Sequence, residues 1–421
     1  MTMVGNVLIL LAGLLVYGSF GLFGLCCLLA ATALSYGAGL LIPRHRWVMW
    51  VSVGISALLL IFVKIQPLTG MELLSVMGIS YFTLRIISYQ VDLYRGAYEP
   101  EKNILRYGLY VTYLPQLFLG PLERYDQFAA SVRSRRIGWD GISCGGARVL
   151  WGLFKKLIIA ARAGVVVSAI SAAPEEYRGA YALAAMVLYY LQLYADFSGG
   201  VDIIIGVSQI LGIRVSENFR TPYLAESVQE FWKRWHITLG SWLRDYVYIP
   251  LGGSRKGKLR RVVNTIVTFL VSGLWHGVHY LLWGVLNGLF VLAGSRFRTK
   301  HAWLNRLGTF FVITFLWAFF VWPDTGTALE MMASVFTTFH YGAFLGGIGT
   351  LGLGWGEWCV LFAGTAGLLL LDTRMESVGA AYRRLTAAGR TVALCLLGLT
   401  ILVFGMYGIG FEVEAFIYSK F

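Results

Sequence analysis

Long apolar runs, laid end to end and seldom broken by charge, constrain this chain more than any other feature. The first lasts 42 residues before Pro43-Arg44-His45-Arg46 closes it. About 20 apolar residues cross a bilayer once, so this stretch reads as two spans joined by a tight turn near Tyr17-Gly18-Ser19. Further runs occupy roughly 47–65, 73–94, 104–120, 147–172, 180–213, 262–294, 305–322, 357–371 and 391–411. Charged residues make up 14% of the 421, against about 25% in an average soluble domain. That balance excludes a soluble enzyme, a secreted disulfide scaffold and a disordered chain. A polytopic, all-helical membrane protein is expected.

Lys and Arg outnumber Asp and Glu by 35 to 22. The basic residues cluster in short segments between apolar runs, as Lys and Arg retained in cytoplasmic loops do. Arg44 and Arg46 then mark the cytoplasmic side and place the N-terminus there too. The chain shows no zinc-finger spacing, zipper or RNA-binding sheet motif, so no nucleic-acid partner is expected. The first run lacks a basic n-region and an A-x-A-like cleavage site, and is expected to be retained. Cys26, Cys27, Cys144, Cys359 and Cys395 form no C-x-x-C or Cys/His set; they read as buried small apolar residues, and no metal is expected.

Several runs carry polar interruptions. Arg85 and Lys155-Lys156 sit inside apolar stretches, and 180–213 contains Asp196-Phe197-Ser198-Gly199-Gly200 and then Asp202. A charge or broken helix at bilayer depth is costly unless it is paired or lines a wet cavity. Together they point to an internal funnel built from tilted and re-entrant helices. A transporter would meet the same requirement, though usually with an internal repeat, and none is evident here. Segment 214–261 mixes Trp with basic residues, as in Phe231-Trp232-Lys233-Arg234-Trp235-His236. Glu226 to Asp245 reads as a helix lying on or dipping into one membrane face, ended by Pro250 and Gly252-Gly253. Gly252 to Lys258 spells G-x-x-x-x-G-K, but Leu259 stands where a phosphate loop needs Ser or Thr.

Six histidines are candidates for chemistry: His45, His236, His276, His279, His301 and His340. His45 and His301 lie among basic residues at loop edges and read as solvated. His276 lies in Thr268–Trp283, a run apolar enough to cross the bilayer, flanked by Gly273 and Gly277. An ionisable ring at such depth is a functional candidate by default. In its neutral form it can accept a proton, which suits a general base acting on a hydroxyl. The alternative is a core histidine satisfied by its neighbours. His236 is the second candidate, against a plain helix-face histidine at the headgroups. Arg244-Asp245, Asp196 and Asp202 are possible members of an ion-paired network.

At this point the chain resembles the membrane-bound O-acyltransferase superfamily over nearly its whole length. The residues that carry the resemblance are Met77-Gly-Ile-Ser-Tyr-Phe-Thr83, Pro115-Gln116-Leu-Phe-Leu-Gly120-Pro121-Leu-Glu-Arg124-Tyr125 and Gln192-Leu-Tyr194-Ala-Asp196-Phe197-Ser198-Gly199. They continue through Glu217-Asn218-Phe219, Phe231-Trp-Lys-Arg-Trp-His236, Trp242-Leu-Arg244-Asp245-Tyr246 and Ser272-Gly-Leu-Trp275-His276-Gly277.

The resemblance implies a ring of about ten to eleven tilted transmembrane helices, with re-entrant and interfacial helices around a thinned centre pierced by a tunnel. It implies one integral domain over 1–421, with N-terminal spans at 1–72, a catalytic core at 73–294 and C-terminal spans at 295–421. It implies that His276 is catalytic and His236 its companion, with Trp275, Gly277, Arg244, Asp245, Asp196 and Trp235 supporting them or lining the tunnel.

The implied reaction moves an acyl group, expected to be acetyl, from an acyl thioester (acetyl-CoA or a carrier-linked acyl group) to a hydroxyl, with no bound cofactor. Arg244 to Gly253 resembles the alginate and peptidoglycan O-acetylation branch more than the D-alanyl transferases of teichoic acid, which are the alternative. The setting implied is a bacterial cytoplasmic membrane, with polysaccharide assembly machinery and an extracytoplasmic partner of the serine-esterase type. Relatives often carry His where Asn287 stands, so that position cannot carry a proton here.

Overall fold

A computed structural model of the chain describes residues 2–69, 76–294, 298–338, 341–374 and 378–407; His340 lies outside them. Regular structure among the described residues is helical, apart from one isolated bridge between Phe219 and Trp235. The opening apolar stretch forms helices Thr2–Ser19 and Leu22–Leu41, and the turn falls at Phe20-Gly21. Five helices among the described residues are long and apolar enough to cross a membrane: Leu22–Leu41, Trp47–Ile65, Ala302–Val321, Trp355–Thr373 and Ala387–Phe404. Their outward side chains are apolar: in Ala387–Phe404 only Ile401 is buried, while Leu396, Leu399 and Leu402 are exposed. Such a surface is stable against lipid and not against water. This is a multi-pass membrane protein.

Stretch 104–120 does not form one span. The side chain of Asn103 caps helix Ile104–Thr112 by accepting from the N–H groups of Leu105 and Arg106, and the helix stops at Tyr113. Pro115 has no N–H with which to continue the ladder, so only a single turn, Leu114–Leu117, follows.

Residues 180–213, read from sequence as interrupted, contain one unbroken helix, Ala180–Ile210. It packs against the continuous rod formed by Trp139–Phe154, a π-helical turn at Lys155–Ala160, and Ala161–Ala172. The glycines are contact points rather than breaks. Gly145 faces Gly206, and Gly152 faces Gly199, seven residues along each helix in opposite directions. A Cβ on Gly145 would lie 2.6 Å from the Gly206 carbonyl oxygen. Small residues let two backbones approach closely without a hydrophobic drive between helices.

The same interface explains the buried charges. Lys156 pairs with Asp196 at 2.6 Å, and Lys155 pairs with Asp202 at 2.5 Å while donating to Ser198 Oγ at 2.8 Å. Arg148 bridges Asp202 at 2.8 Å and Glu217 at 2.5 Å. Asp196 and Asp202 are thus both paired across the helix interface, while Glu217 and Glu357 from other segments pair with Arg148 and Arg162. In the π turn, the Leu157 carbonyl accepts the Met406 N–H at 2.9 Å, tying the segment after the last described helix to this rod. The expectation of uniformly buried cysteines is corrected: Cys144 is buried, but Cys26, Cys359 and Cys395 are exposed on outward helix faces, where lipid replaces protein packing.

Candidate active site

His276 is the last residue of helix Lys258–His276. Gly277 follows at φ +146°, a backbone setting that favours glycine, and one 3₁₀ turn (Val278–Tyr280) reverses the chain into helix Leu281–Ala293. The run Thr268–Trp283 therefore does not cross the bilayer as one helix. It makes the tip of a helical hairpin, with His276 at the tip. The arms lie close: side chains at Gly273 or Gly284 would collide with the backbone at Tyr280 and Phe269 respectively. Aromatic rings surround the imidazole edge-to-face, with centroids at 4.7 Å for Trp275, 5.5 Å for Trp283 and 5.6 Å for Phe320.

His236 arrives differently. The helix expected over Glu226–Asp245 is broken into Val228–Arg234, Ile237–Leu243 and a π turn at Arg244–Tyr248. The break falls at Trp235-His236, where His236 adopts φ +45°. Phe231, Trp235, His236 and Trp242 are all buried, so the segment penetrates the core instead of lying on a face. Segment 218–220 holds the break open. Ile237 N–H donates to the Asn218 carbonyl at 3.0 Å, and Arg220 N–H to the Arg234 carbonyl at 2.9 Å.

Asn218 also sets the ring. Its Oδ1 accepts from Thr238 N–H at 3.0 Å and from Thr238 Oγ1 at 2.9 Å, and lies 3.2 Å from His236 Nδ1. A backbone N–H can only donate, which identifies the Asn218 atom as oxygen. His236 Nδ1 must therefore carry the hydrogen, leaving the lone pair on Nε2.

Both histidines line one cavity of about 340 Å³. Trp275 stands between them, its ring 6.2 Å from His236 and 4.7 Å from His276. Trp232, Trp235, Leu239, Leu243, Phe269 and Val291 make the cavity largely apolar, and Ser241, Thr268 and Ser272 add hydroxyls. At its outer part stand exposed Lys233 and Arg244. Arg244 Nε donates to Asp245 at 2.7 Å, and Asp245 also pairs with Arg124 at 3.2 Å.

Of the supporting residues expected from sequence, Trp235 and Arg244 line the cavity, Trp275 separates the histidines, Gly277 makes the turn, and Asp245 anchors Arg244. Asp196 belongs elsewhere, in the ion-paired helix interface with Lys156. His45, His279 and His301 are exposed. Asn287 is buried, accepting from Trp232 Nε1 at 3.0 Å and donating to the Trp283 carbonyl at 2.9 Å. Two residues near the site escaped sequence reasoning. Asn218 stood in the motif Glu217-Asn218-Phe219 but, being uncharged, gave no cost signal and was assigned no role. Lys64 ends an otherwise apolar span, buried, with its ammonium 6.0 Å from the centroid of the Trp275 ring.

Comparison with known proteins adds an independent line. The sequence model of "MBOAT, membrane-bound O-acyltransferase family" matches residues 101–336, more than half of the chain. A probable alginate O-acetylase of Pseudomonas fluorescens is 36% identical over 297 residues, covering 68% of this chain and 60% of that protein. A peptidoglycan O-acetyltransferase of Helicobacter pylori is 30% identical, covering 62% and 57%. A teichoic acid D-alanyltransferase of Streptococcus thermophilus is 26% identical, covering 62% and 67%. The matches thus span less than two thirds of the first two relatives' length.

Proposed function

The chain belongs to the membrane-bound O-acyltransferase family, and from that premise we propose that it transfers an acyl group, most simply acetyl, from a thioester to a hydroxyl of an exported polysaccharide or of a partner protein. The observation that carries the reading is that His236 and His276 lie on the wall of one cavity whose outer part is basic. Helix Lys258–His276 leaves the basic loop Arg255–Arg261, and its 19 residues rise about 28 Å. The hairpin tip therefore lies about that far from the helix's basic first turn.

In the proposed reaction, acetyl-CoA or a carrier-linked thioester enters past Lys233 and Arg244 and presents its carbonyl beside His276. The acceptor oxygen attacks the carbonyl carbon as His276 takes the hydroxyl proton. The C–S bond then breaks, and the proton passes from His276 to the departing thiolate. No net proton is released. General-base help of this kind contributes about 10²–10⁴-fold. His236, on the same cavity wall, is assigned the orienting of the acceptor in this reading.

The 36% and 30% identities favour acetyl over D-alanyl transfer. The ring of ten to eleven helices, the bacterial cytoplasmic membrane and an extracytoplasmic esterase-type partner belong to this same reading. Purified protein in liposomes, given radiolabelled acetyl-CoA, tests it. Release of free CoA thiol with label on an acceptor is expected; movement of intact thioester across the bilayer would identify a transporter instead.

A further inference from the structure

Helix Lys258–His276 carries three hydroxyl side chains, and they behave differently. Thr265 Oγ1 donates to the Arg261 carbonyl at 2.8 Å and Thr268 Oγ1 to the Asn264 carbonyl at 2.7 Å, each one turn back. Ser272, the next in the series, makes no such bond to Thr268, and its hydroxyl has no hydrogen-bond partner among the described residues. It is nevertheless 94% buried, being 6% exposed, and it lines the cavity. Its oxygen is not among the fully enclosed polar atoms, so the uncommitted hydroxyl opens onto the cavity, where a bound ligand can accept its hydrogen bond.

Its position supplies the chemistry. Residues four apart lie on the same helix face, one above the other. Ser272 therefore stands one turn from His276, toward the basic end of the cavity. Other cavity hydroxyls are already spoken for or remote: Ser241 donates to the Thr238 carbonyl at 2.8 Å, and Tyr248 is half-buried beside exposed Arg244. The indole N–H groups of Trp235 and Trp275, also without partners among the described residues, are enclosed by protein.

We propose that Ser272 is a catalytic residue whose hydroxyl donates a hydrogen bond to the carbonyl oxygen of the bound thioester. The inference rests on the acyl-transfer reading above. As the acceptor oxygen bonds to the carbonyl carbon, negative charge gathers on that carbonyl oxygen, and a fixed donor stabilises it there. Ser272 keeps its own proton throughout. The acceptor's proton goes to His276 and then to the thiolate released when the C–S bond breaks.

The test is steady-state kinetics of the purified full chain with acetyl-CoA, following free thiol, for wild type, Ser272→Ala and Ser272→Cys. Removing one such donor typically costs about 10²–10³-fold in kcat. Ser272→Ala is expected to show that fall with KM and melting temperature nearly unchanged, and Ser272→Cys, a weaker donor, to lie between. Undiminished kcat in Ser272→Ala, or a change confined to KM, overturns the inference. So does labelled acetyl recovered on Ser272 after acid quench, which would make it a nucleophile. A wild type that cleaves no thioester overturns the acyl-transfer reading and this inference with it, whereas an active wild type beside an equally active Ser272→Ala overturns this inference alone.

Discussion

Replacing Asn218 by Leu keeps the branched outline, with bulkier ends, and removes the single oxygen on which three donors converge: Thr238 N–H at 3.0 Å, Thr238 Oγ1 at 2.9 Å and His236 Nδ1 at 3.2 Å. The three losses are unequal. The Thr238 hydroxyl can rotate, and it already accepts from Leu122 N–H at 2.9 Å. The imidazole borders the cavity and can turn toward water there. The Thr238 N–H belongs to the first turn of helix Ile237–Leu243 and cannot move without unwinding it. A buried donor left unsatisfied costs about 1–3 kcal/mol. One full loss and two partial ones put Asn218→Leu at roughly 2–4 kcal/mol less stable.

The functional loss should exceed the structural one, because the substitution also frees His236 to exchange tautomers. Thermal unfolding in detergent reads the first effect, and thiol release from acetyl-CoA at a temperature where the variant is folded reads the second. Asn218→Asp keeps all three acceptor contacts but adds a buried charge that favours imidazolium. Burying that charge costs stability in its own right, so this variant should also melt below wild type and lose turnover. If Asn218→Leu melts and turns over like wild type, the argument that this oxygen sets the ring is wrong.

Other outcomes follow from the packing and the charges. Gly152→Val drives a side chain into the Gly199 backbone and should cost about 1–3 kcal/mol or more in unfolding experiments, while Gly146→Val, where a Cβ meets nothing, should be nearly neutral. Arg148→Met leaves Asp202 and Glu217 short of a partner. A loss of about 3 kcal/mol is expected, the low end for a broken buried pair, since Lys155 still faces Asp202 and Glu217 is partly solvated. Burial pushes the Glu101 carboxyl up, but hydrogen bonds from Tyr125, the Asn103 N–H and Arg106 outweigh it and hold it below its ordinary value. A carboxylate so depressed contributes stability that is present above its unfolded pKa and lost as pH falls through the folded one. Melting temperature should therefore drop on acidification below about pH 4.5, and Glu101→Gln should flatten that slope.

The apolar runs made the helical membrane class legible, and the order of the motifs singled out two histidines that share one cavity wall. What remained hidden depended on contacts between distant segments. Gly199-Gly200 looks like a helix breaker in isolation; only Gly145 and Gly152, spaced to match on another helix, make such glycines a packing seam. Asp196 and Asp202 carried a cost signal, but their partners, Lys156 and Lys155 respectively, lie more than a helix away in sequence, across that seam. The break at His236 has no local cause in Phe231–Thr238, since backbone bonds to 218–220 impose it. At Gly277 the hydrophobic periodicity runs through without a gap, so a hairpin tip reads as mid-span.

The most direct test of the account is thiol release by His276→Ala, purified beside wild type and matched for folding by melting temperature. The imidazole is cast as the base for the attacking hydroxyl, so the expected result is a fall of at least about 100-fold with the melt retained. A folded His276→Ala that releases thiol and acylates its acceptor at the wild-type rate would contradict it.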